Sequence, residues 1–263
     1  MNNSFPQSLL VIITTIAIIT VNVLANFLPI NDLTTGEISS FYPVSFTPAG
    51  YVFTIWSVIY LSLLIFSGYQ WFLSKRQEVF SDSELNLSNV KWLYIVSGVL
   101  NISWILAWHY LQIELSVIIM LGLLGTLIAM YQTLISYRLQ GLDYWFLQFP
   151  FSLYLGWISV ATVANATVLF YDWNLMTESF IDIFWTVGLI GLVSVLTHIV
   201  LWRKQDLVYA GVIIWSMVGI IVANRTEPFL IVMALLAITT ILYHMGRYLV
   251  TSSVGTSYSE VSN

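Results

Sequence analysis

The sequence predicts an all-α membrane protein with about eight transmembrane helices, and three observations predict it. Only 8% of the 263 residues are charged and 59% are hydrophobic, against about a quarter charged in soluble domains. Apolar runs of about twenty residues, the length that crosses a bilayer core, recur along the whole chain. The few charges lie in the short stretches between those runs.

The first helix is expected over 8–28. No Lys or Arg precedes it and it is long for a signal-peptide core. Despite the cleavage-like Val23-Leu24-Ala25 it therefore reads as a retained membrane helix. Residues 29–49 form the first loop, with Asp32 and Glu37 but no basic residue. Pro48 and Gly50 then break into the second helix, 50–72, where Trp56 and Tyr60 are four apart and share a face. The third helix, 91–109, carries Asn101, Trp104 and Trp108 on one face. An amide in hydrocarbon is costly unless paired, which turns that face toward other helices. Asn101 reads as an interhelical hydrogen-bonding residue, and Trp104 is open between bundle packing and ligand contact.

The fourth helix is expected over 115–136 and the fifth over 146–170. In the fifth, Tyr154, Trp157, Ala161 and Asn165 step by three, four and four, one stripe along three turns. Two flat aromatic walls, a small residue and an amide suit a planar apolar ligand. On the stripe alone, a helix–helix seam is the simpler reading. The last helices are expected over 181–202, 207–223 and 228–248, followed by a Ser- and Thr-rich tail from Thr251 to Asn263 that reads as disordered. Gly188 and Gly191 read as points of close helix packing, and His198 and His244, lone on their helices, as interhelical hydrogen-bonding residues. Trp71, Trp92, Trp108, Trp145, Trp173, Trp185 and Trp202 lie near helix ends, where indole favours the headgroup boundary, and His109 reads as interfacial too. Trp56, Trp104, Trp157 and Trp215 lie deeper.

Charge sets the expected orientation. Of the eight basic residues only Arg225 lies apart. Lys75, Arg76, Lys91, Arg138, Arg203, Lys204 and Arg247 fall on one side, which the positive-inside rule makes cytoplasmic, together with both termini. No basic patch exists for nucleic acid. No cysteine supplies a disulfide or thiolate. Neither a phosphate-binding glycine loop nor a paired-histidine metal motif is present. None of the thirteen acidic residues sits mid-helix, and no internal repeat is visible, which argues against an ion-coupled transporter.

Three segments resemble the tryptophan-rich sensory protein / translocator protein (TspO/MBR) family. Residues 45–60, which contain Pro48, Gly50, Trp56 and Tyr60, resemble the entry to that family's second helix. Leu100-Asn101-Ile102-Ser103-Trp104 resembles its Leu-Asn-x-x-Trp. Residues 154–165 resemble its fifth-helix pattern Tyr-Leu-Ala-Trp-x-x-Phe-Ala-Thr-x-Leu-Asn without a gap. The three stand in the family's order across about residues 8–175. The resemblance implies a five-helix bundle binding a tetrapyrrole such as protoporphyrin IX, or in some members sterols or benzodiazepine-like drugs, under a lid made by the first loop. Carried over, Trp56, Tyr60, Asn101, Trp104, Tyr154, Trp157, Ala161 and Asn165 match pocket or near-pocket positions, and Tyr42, Phe46, Pro48 and Tyr51 fall in the lid. A homodimer is implied as well, and Ser103 and Ala107, small and four apart, suit one. The chain departs from the pattern at Thr47-Pro48, where paired prolines are usual. It is also one residue short between Tyr51 and Trp56, and has Leu153 in place of a proline and Val160 in place of a phenylalanine. Pro150 is then expected to kink the helix a turn sooner.

The expected organisation is a core over 1–175, three additional helices over 176–250 outside the resemblance, and a tail over 251–263. The expected function is receptor-like binding of a porphyrin or similar flat hydrophobe between the second, third and fifth helices, with no cofactor required. The bilayer and that ligand are the expected partners. Passive or partner-driven transport of tetrapyrroles or other hydrophobic metabolites is one alternative, and light- and oxygen-dependent porphyrin breakdown is the other.

Overall fold

The computed structural model describes residues 4–27, 30–79, 87–176 and 179–261. Residues 28 and 29, at the head of the first loop, and the last two residues of the expected tail lie outside the described residues. The described residues are 87% helical and contain no strand, an all-α multi-pass membrane protein. Among the described residues, seven helices are long and apolar enough to cross a bilayer. An eighth apolar helix, Leu207–Ala223, has 17 residues, the short end of what spans.

In chain order the helices are α1 (Ser4–Phe27), α2 (Thr35–Ser40), α3 (Ile55–Val79), α4 (Ser88–His109), α5 (Ile113–Ser136), α6 (Gly141–Asp143), α7 (Phe149–Asp172), α8 (Ser179–Lys204), α9 (Leu207–Ala223) and α10 (Pro228–Val261). Several boundaries differ from expectation for local reasons. Gly50–Thr54 is a 3₁₀ turn, so the second membrane helix proper begins at Ile55. The turn Tyr144–Gln148 is a widened π-helical one, with Pro150 following in the first turn of α7. Proline has no N–H to donate, and the irregular turn sits directly ahead of it. α10 continues to Val261, beyond the residue 248 expected as its end and through most of the stretch expected as a disordered tail.

The connections are tight. Leu111, Arg138, Asn174 and Gln205 adopt left-handed backbone (φ 50–58°) just past the ends of α4, α5, α7 and α8. Glycine more often occupies that position. Asp206 caps α9 by accepting from Val208 N at 3.0 Å and Tyr209 N at 2.9 Å. α2 begins with a reciprocal capping box. Glu37 N donates to Thr34 Oγ1 at 3.2 Å and Thr34 N donates to Glu37 Oε2 at 2.7 Å.

The chain divides into two compact units. The first holds residues up to Val44 together with Phe53–Thr177. Its five long helices pack in a closed ring, in the order α1, α4, α5, α7, α3 and back to α1. α7 is the most enclosed of the spans, with two thirds of its central window buried. Gly98 lets α4 approach α1: a Cβ there would lie 2.2 Å from Thr14 Cγ2. Gly188 and Gly191, the expected packing glycines, have open space where a Cβ would stand.

The second unit holds Ser45–Val52 and everything after Thr177. In it α8, α9 and α10 pack on one another, and Ser45–Val52 forms a strap against them. Ser45 N donates to the Asp182 carboxylate (3.0 Å to Oδ2), as does its hydroxyl at 2.5 Å. Asn224 Nδ2 donates to Ser45 O at 2.8 Å, Ala49 N to Gly219 O at 3.1 Å, and Trp215 Nε1 to Val52 O at 3.2 Å. Gly219 has no room for a side chain, because Val52 Cγ2 stands 2.2 Å from the Cβ position and Pro48 Cβ stands 2.9 Å from it.

Candidate functional site

Inside the five-helix ring the aromatic residues of α3, α4 and α7 meet around Trp56. Its ring stacks on Tyr60 at 5.4 Å, as their four-residue spacing requires. Trp104 lies 6.3 Å away, tilted, and Tyr154 and Trp157 present edges at 6.0 and 5.9 Å. Edge-to-face and offset contacts of this kind suit the ring quadrupoles. Phe53 closes on Trp157 from the other side at 5.7 Å, and Trp108 continues the stack beyond Trp104 at 6.0 Å. Trp104, Tyr154 and Trp157 are buried, while Trp56 is half-buried.

A polar network holds these rings. Asn22 Nδ2 of α1 donates to Asn101 Oδ1 at 3.0 Å, and Asn101 Nδ2 donates to the Tyr154 hydroxyl at 2.9 Å, joining α1, α4 and α7. Trp104 Nε1 donates to Asn165 Oδ1 at 3.0 Å, and Asn165 Nδ2 donates to Ser116 Oγ of α5 at 2.9 Å. Both asparagine amides are thus engaged within the protein. Two polar atoms of the cluster are not. The Tyr60 hydroxyl and Trp157 Nε1 are buried and have no hydrogen-bond partner. An unpaired buried donor costs about 1–3 kcal/mol, so such a pair in one cluster marks where a partner atom would be welcome. Ala161 is half-buried, on the face of α7 that carries Tyr154, Trp157 and Asn165.

The structure brings together Trp56, Tyr60, Asn101, Trp104, Tyr154, Trp157 and Asn165. It distributes the four lid residues differently. Tyr42 stays in the first unit, edge-on to Tyr171 at 6.1 Å. Burial and the neighbouring Asp172 charge raise its hydroxyl above the ordinary tyrosine range. Phe46, Pro48 and Tyr51 belong to the second unit: Phe46 and Pro48 are buried there, and Tyr51 meets Trp215 edge-on at 5.3 Å.

Trp108 and His109 are corrections. Neither is interfacial; their exposures are 5% and 0%. The turn at Ile30–Asp32 and α2 fold over the end of α4 and take their polar atoms. Trp108 Nε1 donates to Thr35 O at 3.2 Å, and the His109 ring lies 3.1 Å from both Ile30 O and Thr35 Oγ1. Trp92, Trp145, Trp173, Trp185 and Trp202 are exposed, as anchors would be. Lys91, expected at the border of the second loop, lies in the first turn of α4. It is buried, with Nζ donating to Ser8 Oγ at 2.9 Å and Ser74 Oγ at 2.7 Å. Phe53, Asn22 and Ser116 are site residues that the motifs do not mark. Phe53 is signalled only by lying three before Trp56, and Asn22 by being an amide inside an apolar run.

No curated protein and no solved structure matches the chain. A family model described as TSPO-like protein matches residues 8–247. That match runs through α8, α9 and most of α10, so the likeness is not confined to a core ending at residue 175.

Proposed function

Since the chain belongs to the TSPO-like family, we propose that this multi-pass membrane protein is a sensory or receptor-like binder of a flat hydrophobic molecule. A porphyrin is the leading ligand class, held at the aromatic cluster of α3, α4 and α7. The observation that carries the reading is the pair of unpartnered buried polar atoms, the Tyr60 hydroxyl and Trp157 Nε1, within a group of stacked and edge-on rings. A macrocycle carrying acceptor groups at its rim would pair with both while its face lies on Trp56. The half-buried Trp56 is the ring that must turn to admit it.

The test is titration of the purified protein with protoporphyrin IX, following tryptophan quenching and the Soret band. Wild-type protein is expected to saturate near one equivalent. Trp157→Phe keeps an aromatic ring, smaller than indole, but loses the N–H, and is expected to weaken binding at least about tenfold, the range of one hydrogen bond. Trp104→Ala is expected to remove saturable binding. Equal affinity in all three proteins would remove the site. Transport is a separate outcome, read as protein-dependent porphyrin flux across proteoliposomes, and breakdown as faster bleaching in light and oxygen.

The orientation proposed for both termini is cytoplasmic, supported by the basic residues of the connecting segments. With no native cysteine, single cysteines placed at 139 and 226 give a direct check. Only the one at 226 should react with a membrane-impermeant thiol reagent in intact cells.

A further inference from the structure

The second unit carries a groove that the proposed function does not use. It runs between α8 and α10. Its inner half, with a volume of about 630 Å³, is lined by apolar side chains such as Ile190, Val195, Met233 and Leu236. Its outer half, about 550 Å³, is lined by Gln205, Tyr243, Arg247 and Tyr248 among others. The halves share His198, Trp202, Thr240 and His244, so one channel passes from hydrocarbon lining to cationic and hydroxyl lining.

The two histidines are not lone residues. Their ring centres are 5.5 Å apart and their planes are inclined by 40°. His198 Nδ1 faces Ser194 O at 2.8 Å. A carbonyl can only accept, so Nδ1 carries the proton and Nε2 is left for another group. Metal binding does not fit, because no set of three or more His, Cys, Asp or Glu gathers among the described residues, and protein zinc sites need three or four ligands. Charge decides the class of occupant. No carboxylate lines either half, Arg247 is permanently cationic, and Arg203 and Lys204 fill the last turn of α8 at the same end.

Geometry decides the source. Val195, Trp202, Leu236 and Tyr243 are 54–73% exposed, yet they lie on helices of membrane-spanning length. The groove therefore opens sideways toward acyl chains. We infer that it holds one anionic phospholipid of the surrounding bilayer, with the phosphate on Arg247 and on a donor nitrogen of His244, and an acyl chain along the apolar half. Basic pockets at the membrane-proximal ends of helices select such headgroups in general.

Native mass spectrometry of the full-length protein tests this, with phosphatidylglycerol or phosphatidylcholine of matched chains added at low concentration. Wild-type protein is expected to retain one phosphatidylglycerol under conditions that strip phosphatidylcholine. Arg247→Gln should cut that preference about fivefold, the usual effect of one basic side chain at an anionic surface, and adding His244→Gln should bring it near unity. Gly191→Leu, whose side chain would enter open space in the apolar half, should lower retention of both lipids. Saturable porphyrin quenching in each variant controls for folding in the first unit, and an unchanged thermal transition controls for the second. Equal retention of the two lipids by wild-type protein, or a preference that survives Arg247→Gln/His244→Gln, overturns the inference. So does a wild-type dimer that Gly191→Leu converts to monomer, since a second copy would then fill the groove.

Discussion

Asn101 commits both halves of its amide to neighbours, to Asn22 on one side and Tyr154 on the other. Replacing it with leucine removes two hydrogen bonds, takes the Asn101 donor from the buried Tyr154 hydroxyl and leaves the Asn22 amide only its bond to Ile18 O. We expect Asn101→Leu to destabilise the folded protein by about 1–3 kcal/mol, measured as a lower midpoint in denaturing-detergent titration. Asn22→Leu should cost less, because Asn101 keeps Tyr154. Glu37 gives a prediction in pH. Hydrogen bonds from the Thr34 backbone and side chain hold its carboxyl below the usual carboxylate range. A carboxyl lowered by folding stabilises above its unfolded value, and the contribution is lost as pH falls through the folded one. α2 should therefore loosen in acid and expose Trp108, whose emission should shift to the red; Thr34→Ala should show that shift already at neutral pH. At this scale the sequence marks the residues and misses their partners. Trp56, Trp104, Tyr154 and Trp157 were all legible as one-face aromatics. Asn165 reads from its stripe as part of a helix–helix seam and from the resemblance as a ligand group, and only its bonds to Trp104 and Ser116 decide that its amide is occupied.

The long helices are legible because twenty apolar residues have few other uses, whereas their ends depend on contacts distant in sequence. Trp108 and His109 sit where a helix should reach the headgroups, and they are buried because the turn at Ile30 and α2 lie across them. Glycines show the same limit. The sequence offers Gly188 and Gly191 as packing points, but the close approaches are at Gly98, where α4 meets α1, and at Gly219, where α9 meets the strap. Gly98→Val should drive α1 from α4 and cost about 1–3 kcal/mol, whereas Gly188→Ala should be neutral or slightly stabilising, since alanine is the better helix former. Gly219→Val should expel Val52 and Pro48 from α9. The strap 45–52 should then become the first site of limited proteolysis, and Asp182→Ala, which leaves Ser45 only its bond from Asn224, should act in the same direction. A Gly219→Val protein with a protected strap would mean that the strap is held by other contacts.

At the scale of the molecule, the residues that fold together are not all neighbours in the chain. Sequence motifs place Phe46, Pro48 and Tyr51 with the helix they precede, but the strap they form belongs with helices made from residues beyond 177. Nothing in the local pattern of residues 45–52 announces this, since burying Phe46 and Val52 requires only some apolar surface. The match of the family across residues 8–247 fits a unit of inheritance that includes the partner of the strap. Synthesis imposes an order on it. Val52 leaves the ribosome roughly 170 residues before Gly219, a wait of about 8–35 s at ordinary elongation rates. Through that interval the five helices of the ring can insert and pair, while Pro48 and Val52 lack the α9 surface at Gly219 on which they close. Closing the strap is then a late step of maturation, and a chain interrupted before α9 would leave it open to quality-control proteases.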